Sequence, residues 1–305
     1  MEEYFHPVSS YKVTSEYDGV RLDNCLISRL KGLPRTKIYS IIRKGEVRVN
    51  KSRSKPSLKL KEGDIVRIPP YRVSTGAKLY ITQKDKERIS TSIIAEEKNY
   101  LIINKPAGVA SHGGSGISAG VIEIIRELDP KYQKAQLVHR IDKDTSGCLV
   151  IALKKSFLRN LHEEIRNKQV DKIYDLVVFG RWPDRLRKID KPLKTVRTGN
   201  GEREAIIDTT GKEAITEFSI VKTSPKYSLL QSKIITGRMH QIRAHALHAG
   251  FPIVGDLRYG DSALNEKVRK EGINRMMLHA RSINFKNLDL NAESETPQSF
   301  LKFFS

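Results

Sequence analysis

Cysteine is nearly absent from this 305-residue chain: Cys25 and Cys148 are the only two. Two distant cysteines form neither a disulfide framework nor the paired spacing of a zinc site. Each reads as a small core residue in a reducing compartment. Long apolar runs are also missing, and none approaches the roughly 20 residues a membrane helix needs. The opening MEEYFHPVSSYKVTSEYDGV lacks the basic start and apolar stretch of a secretion signal. These absences predict a soluble, cytoplasmic protein with no membrane partner. Acidic residues are in short supply, with 35 Asp and Glu against 55 Lys and Arg, for a net charge of +20. Such an excess says nothing of the fold, but it points to a polyanionic partner, of which nucleic acid is the commonest.

The shortage of acid is greatest from Arg29 to Arg72, where 14 basic residues meet only 3 acidic ones. Within this region RLDNCLISRL sets Leu22, Leu26 and Leu30 at helical spacing. RTKIYSIIRKGEVRVN predicts a second helix with Ile38, Ile41 and Ile42 inward, ended at Gly45. EVRVN and LKEGDIVRI read as short strands, the latter entered through a Gly-Asp turn. A small basic module is therefore expected over 18–72, after a loose tail over 1–17. The weakly periodic stretch that follows gives a linker over 73–91. Over 92–305 the texture becomes β-rich. Two strands are predicted in IIAEEKNYLIINKPAG and one each in GCLVIALKK, KIYDLVVFG, AITEFSIVKT, YSLLQSKIITG and MLHARSINF, and helices in SFLRNLHEEIRNKQ and HQIRAHALHAG. Runs of strands with few helices and no regular βαβ alternation predict an α+β fold built on a mostly antiparallel mixed sheet.

Ionisable chemistry concentrates in LVHRIDKDTSG, residues 137–147. A metal reading would use His139, Asp142 and Asp144, but no further ligands stand at a diagnostic spacing. A serine hydrolase would want G-x-S-x-G, and Asp144 stands two residues before Ser146. An ordinary polar loop leaves the density of charged groups unexplained. A carboxylate nucleophile is permitted, because Asp forms covalent intermediates at sugar and phosphoryl centres and needs a cationic neighbour in a closed pocket. The second cluster is TGRMHQIRAHALHAG, residues 236–250. Its His240, His245 and His248 lack the Glu and spacing of a zinc helix. Its Arg238 and Arg243 are suited to pair with a carboxylate or to grip a phosphate with two N–H groups, although two surface arginines would look the same.

HRIDKDTSG, KIYDLVVFG and TGRMHQIRAH are similar, in this order, to three motifs of the RluA-type pseudouridine synthases. The segment from RLDNCLISRL to GDIVRI resembles the S4 RNA-binding module that many of them carry. INKPAGVASHGG and GDLRYGD are further marks, and the similarity runs from about residue 18 to 286. Ile141 stands where the family usually has Leu, and the segment 287–305 departs from its C-terminal pattern.

The resemblance implies a pseudouridine synthase catalytic domain behind a small N-terminal S4-like domain. The implied reaction isomerises uridine to pseudouridine within RNA, with no metal and no small-molecule cofactor. Asp142 would be the nucleophile and Arg243 its ionic partner. Tyr174 would lie against the uracil face and help remove the C5 proton. Arg140 would enter the space left by a flipped-out uridine. His139, Thr145, Ser146 and Gly147 would shape the loop. In the S4-like module Arg35, Lys37, Arg43, Lys44, Arg48, Lys51, Arg53 and Lys55 would face an RNA backbone. The implied partner is large-subunit (23S) ribosomal RNA or its precursor particle. A synthase acting on tRNA is one alternative. An S4-type ribosome-assembly protein without catalysis is another, but a pure binder has no need of Asp142, Tyr174 and Arg243 together.

Overall fold

The computed structural model describes residues 3–30, 32–74, 80–114, 119–199 and 201–304. The chain divides into two compact units, residues 1–80 and 81–305.

In the first unit the strands β1 (Glu3–His6) and β2 (Ser9–Lys12) precede helices α1 (Leu22–Arg29) and α2 (Arg35–Arg43). Four strands follow: β3 (Arg48–Val49), β4 (Ser52–Arg53), β5 (Ile65–Ile68) and β6 (Tyr71–Ser74). A small antiparallel sheet runs β2-β5-β3-β4, and β1 pairs with β6. Leu22 and Leu26 of α1 meet Ile38, Ile41 and Ile42 of α2 in one core, joined by Val47, Leu60 and Val66. The expected loose tail 1–17 is corrected here, since β1 and β2 are held by strand pairing. Their side chains are mostly exposed, so no burial pattern marks them. Residues 1 and 2 lie outside the described residues.

The second unit opens with helix α3 (Gln83–Ser90), inside the stretch expected to be linker. Thr82 caps it: its hydroxyl accepts from the Asp85 N–H, and Asp85 accepts from the Thr82 N–H. Only Ile89 of α3 is buried, which leaves no periodicity to read. Residues 75–79 of the expected linker lie outside the described residues. Then come β7 (Ile93–Glu96), β8 (Tyr100–Lys105), α4 (Val121–Leu128), β9 (Gln136–Leu137), β10 (Ser146–Ala152), α5 (Lys155–Arg166) and β11 (Val170–Phe179). The remainder is β12 (Lys188–Asp190), β13 (Leu193–Arg197), β14 (Arg203–Ile207), β15 (Ile215–Thr223), β16 (Tyr227–Ile234), α6 (Gln241–His248), α7 (Ser262–Lys270), β17 (Leu278–Phe285) and β18 (Leu290–Glu293).

One sheet carries this unit, in the order β12-β15-β16-β11-β17-β10-β8-β7, with β18 on β17 and β9 on β10. Its pairs are antiparallel except β10 with β17, so the α+β, mostly antiparallel architecture is present. Around β8 and β10 the sheet is buried on both faces. Leu101, Ile103, Leu149 and Ile151 point to α3 and α4, whereas Ile102, Cys148 and Val150 point to α5. Burial on both faces explains why β10 reads as one continuous apolar run. The divergent C-terminal segment supplies β18 and a 3-10 turn that buries Phe300.

The parallel pairing of β10 with β17 fixes where loop 138–145 enters the sheet. A Cβ at Gly147 would lie 2.2 Å from the Ala280 carbonyl oxygen, and Gly147 has φ of +107°, so only glycine fits this approach. On β17 the register slips beside Tyr174: Ile173 faces Ser282, but Tyr174 faces Ala280, leaving Arg281 as an extra residue. Such a bulge re-aims the neighbouring side chains.

Candidate active site

A cleft of about 1450 Å³ opens in the second unit, larger than the roughly 300–1000 Å³ of an ordinary small-molecule site. Asp142, Tyr174, Arg243, Arg140 and His139 all line it.

Asp142 sits in the loop before β10, which several buried groups pin. Ser111 donates its hydroxyl to the Ile141 carbonyl at 2.8 Å, and Thr145 N–H returns to the Asp142 carbonyl at 3.2 Å. His139 accepts the Val150 N–H on Nε2 at 3.2 Å, which fixes a neutral ring tying the loop to β10. Ser146 accepts from Arg275 Nη2 at 2.6 Å and donates to His279 Nδ1 at 2.8 Å. Beneath the loop lies Lys105, fully buried, donating to the carbonyls of Pro106, Val109 and Lys143 at 3.0, 2.7 and 3.0 Å. Burial pulls its ammonium down to about 7, against the opposing pull of Asp144 and Asp142.

His139 carries a pH prediction. Burial pushes its imidazole down to about 3, so the folded chain refuses a proton that the unfolded chain takes near 6.5. Stability from this group is whole above about 6.5 and falls with pH below it, by up to about 1.4 kcal/mol per pH unit. His139→Gln retains an acceptor for Val150 but does not titrate. Urea unfolding at several pH values between 6.5 and 4.5 should give a shallower loss for the variant. Equal slopes would mean that His139 is not held neutral.

Arg243 projects from α6 and is itself almost wholly buried. Gln241 secures the start of that helix. Its Oε1 accepts from Thr236 Oγ1 and the Arg238 N–H, and its Nε2 donates to the Ile215 carbonyl and Thr216 Oγ1. Arg243 donates from Nη1 to Asp142 Oδ2 at 3.1 Å, and from Nε and Nη2 to both oxygens of Asp256 at 2.7 and 2.8 Å. Asp256 also accepts the Arg258 and Tyr259 N–H groups and is sealed from solvent. Burial would raise its carboxyl, but the guanidinium and these backbone donors hold it below the usual carboxylate range. Burial alone would likewise lower Arg243, and the two carboxylates hold it raised instead. One guanidinium thus joins a structural carboxylate to the carboxylate of the loop.

Tyr174 lies half-buried on β11. Burial, then the charge of Asp142, pushes its phenol upward. Arg140 is exposed at the rim, and its Nη1 donates to His112 Nε2 at 2.6 Å. His240, with φ of +52°, stands just before α6 in the left-handed region, a conformation that costs a non-glycine residue about 1–3 kcal/mol and clusters at functional sites. Its Nε2 is 3.8 Å from Asp142 Oδ2. The other histidines of that helix are not gathered around a common point. His245 is bonded to Thr216 Oγ1 and the Lys191 carbonyl. Arg238 donates to the Glu213 carbonyl and is exposed.

In the first unit Arg35, Lys37, Arg43, Lys44, Lys51, Arg53 and Lys55 are exposed, whereas Arg48 is half-buried and donates to the Lys51 carbonyl. Asn50 and Lys51, with φ of 49° and 67°, form the two-residue turn between β3 and β4, which holds Lys51 at a hairpin tip.

Residues 99–248 match the RNA pseudouridylate synthase family and residues 20–76 match the S4 domain. Ribosomal large subunit pseudouridine synthase C of Haemophilus ducreyi is 45% identical over 282 residues, covering 92% of this chain and 88% of that protein. This chain belongs to the RNA pseudouridylate synthase family. The Escherichia coli protein of the same name is 42% identical over 277 residues, covering 90% of this synthase and 87% of that protein. The solved human RNA pseudouridylate synthase domain containing 4 shares the fold, with a TM-score of 0.58 at 24% identity, covering 71% of this chain and 92% of that one.

Several residues of the synthase cleft escaped the sequence reading. Asp256 has a signal only once Arg243 is known to be buried, because a buried guanidinium needs carboxylates. Lys105, Ser111 and Arg275 carry no such signal.

Proposed function

We propose that this synthase converts uridine to pseudouridine in large-subunit (23S) ribosomal RNA, with Asp142 as nucleophile. The observation that carries the reading is the Asp142–Arg243 pair at 3.1 Å on the wall of the cleft. The names of the relatives support the substrate class.

In this reading the target uridine leaves its stack at a cost of a few kcal/mol, and exposed Arg140 fills the space it vacates. Asp142 assists the departure of uracil from the ribose carbon C1′. The N1–C1′ bond breaks, the base turns, the C5–C1′ bond forms, C5 loses its proton and N1 gains one. Arg243 supplies the counter-charge, and Asp256 keeps that guanidinium in place. The raised phenol of Tyr174 weighs against a phenolate base at neutral pH, so its first role is to stack on the uracil face. His139, Thr145, Ser146 and Gly147 hold the loop in register.

The basic residues of the S4 domain give affinity and placement, since phosphate contacts carry little sequence information. Each contact neutralised contributes roughly 0.7–0.9 to the slope of log K against log salt. Replacing Arg43, Lys44 and Lys51 together by Gln should weaken RNA binding and flatten that slope by about 2 units, leaving turnover at saturating RNA nearly unchanged. An unaltered slope in the folded triple variant would assign these charges to solubility alone. The substrate is tested with C5-tritiated transcripts of large-subunit rRNA, small-subunit rRNA and tRNA. Release from the large-subunit transcript is expected, and release from tRNA alone would favour the tRNA reading.

A further inference from the structure

His240 is the one histidine of the TGRMHQIRAH motif that faces Asp142, and its surroundings favour one tautomer. The Ala205 N–H of β14 donates to the Tyr259 hydroxyl at 2.7 Å, which occupies that oxygen as an acceptor. The hydroxyl hydrogen is then free to point at His240 Nδ1, 2.9 Å away. With Nδ1 accepting, a neutral ring carries its hydrogen on Nε2, the nitrogen 3.8 Å from Asp142 Oδ2. Burial, the largest influence on this ring, favours the neutral form. The Tyr259 ring also packs edge-on against His240, and the Arg243 guanidinium lies over it, 4.9 Å from its centroid.

Arg243 and His240 therefore address the same Asp142 oxygen, Oδ2, Arg243 Nη1 by a hydrogen bond and His240 Nε2 from 3.8 Å, beyond hydrogen-bond distance. Among the described residues Oδ1 accepts no hydrogen bond. We propose that His240 is a positioning residue, set in its Nε2–H tautomer by Tyr259 and Ala205, which aligns Asp142 through Oδ2 so that Oδ1 is the oxygen presented to the ribose. The proposal rests on the reading of Asp142 as nucleophile. The left-handed backbone at His240 fits it, because that conformation carries the ring to the mouth of α6, beside Asp142.

The test combines nitrogen NMR of the histidine rings with kinetics of three variants. In the native protein His240 should appear as the neutral Nε2–H tautomer, and Tyr259→Phe should convert part of it to Nδ1–H. His240→Ala should lower kcat by about 10- to 100-fold with RNA affinity unchanged, the loss expected from misplacing a reacting group by about an ångström. His240→Gln places an amide N–H near the position of Nε2 and should recover most of the loss. A native His240 found as imidazolium or as Nδ1–H would overturn the proposal. So would His240→Gln falling as far as His240→Ala while still binding RNA. Asp142→Asn in the same assay separates the two readings: if it stays active, the nucleophile assignment fails whatever tautomer His240 holds.

Discussion

Replacing Asp142 by Asn should reduce tritium release from C5-labelled uridine by roughly 10³-fold or more, with RNA affinity within about twofold of native. Asn preserves size and can still accept from Arg243 Nη1, so loop 138–145 should keep its shape. What disappears is the negative charge that, in the proposed reading, meets the ribose carbon. Affinity comes mainly from phosphate contacts, which Asp142 does not make. Near-native release by the variant would remove Asp142 from the chemistry.

The second large effect concerns Arg243, which serves two carboxylates at once. Arg243→Met leaves Asp256 as a sealed charge without its cation, and breaking such a pair costs about 3–5 kcal/mol of stability. Turnover should fall at least about 100-fold at temperatures where the variant stays folded, because Asp142 loses its counter-charge as well. Arg243→Lys keeps the charge but cannot fork onto Asp256 and reach Asp142 together, so it should rescue neither property fully. Asp256→Asn extends the test to a side chain that solvent does not reach. It should lower turnover through Arg243. Thermal unfolding and single-turnover assays on the three variants decide the matter, and native stability with native turnover in Arg243→Met would show that the guanidinium is dispensable.

The parts legible in the sequence are those where one rule dominates. SGCLVIA reads as a buried strand because apolar side chains fill both faces of the sheet there. The helix over Lys155–Arg166 reads from its apolar stripe, and the α6 cluster with Asp142 reads from the density of ionisable groups. Where rules conflict, the sequence is mute. VIEIIREL is a helix although its β-branched residues suit a strand, because packing of Val121, Ile122, Ile124 and Ile125 against the sheet overrides propensity. The β13–β14 hairpin buries only Leu193 and Ala205 of its strand residues, yet it brings Ala205 to Tyr259. Lys105 looks like any surface lysine until three carbonyls from two segments close around it. Asp256 and Tyr259 fall under a motif that marks the family without disclosing what each side chain touches.

The most direct measurement is a pseudouridine map of 23S ribosomal RNA from cells that lack this protein, complemented with native protein or with Asp142→Asn. Specific large-subunit sites should lose pseudouridine in the deletion, regain it with the native protein and stay unmodified with the variant. A map unchanged by the deletion, or restored equally by the variant, would contradict Asp142-dependent modification of this RNA.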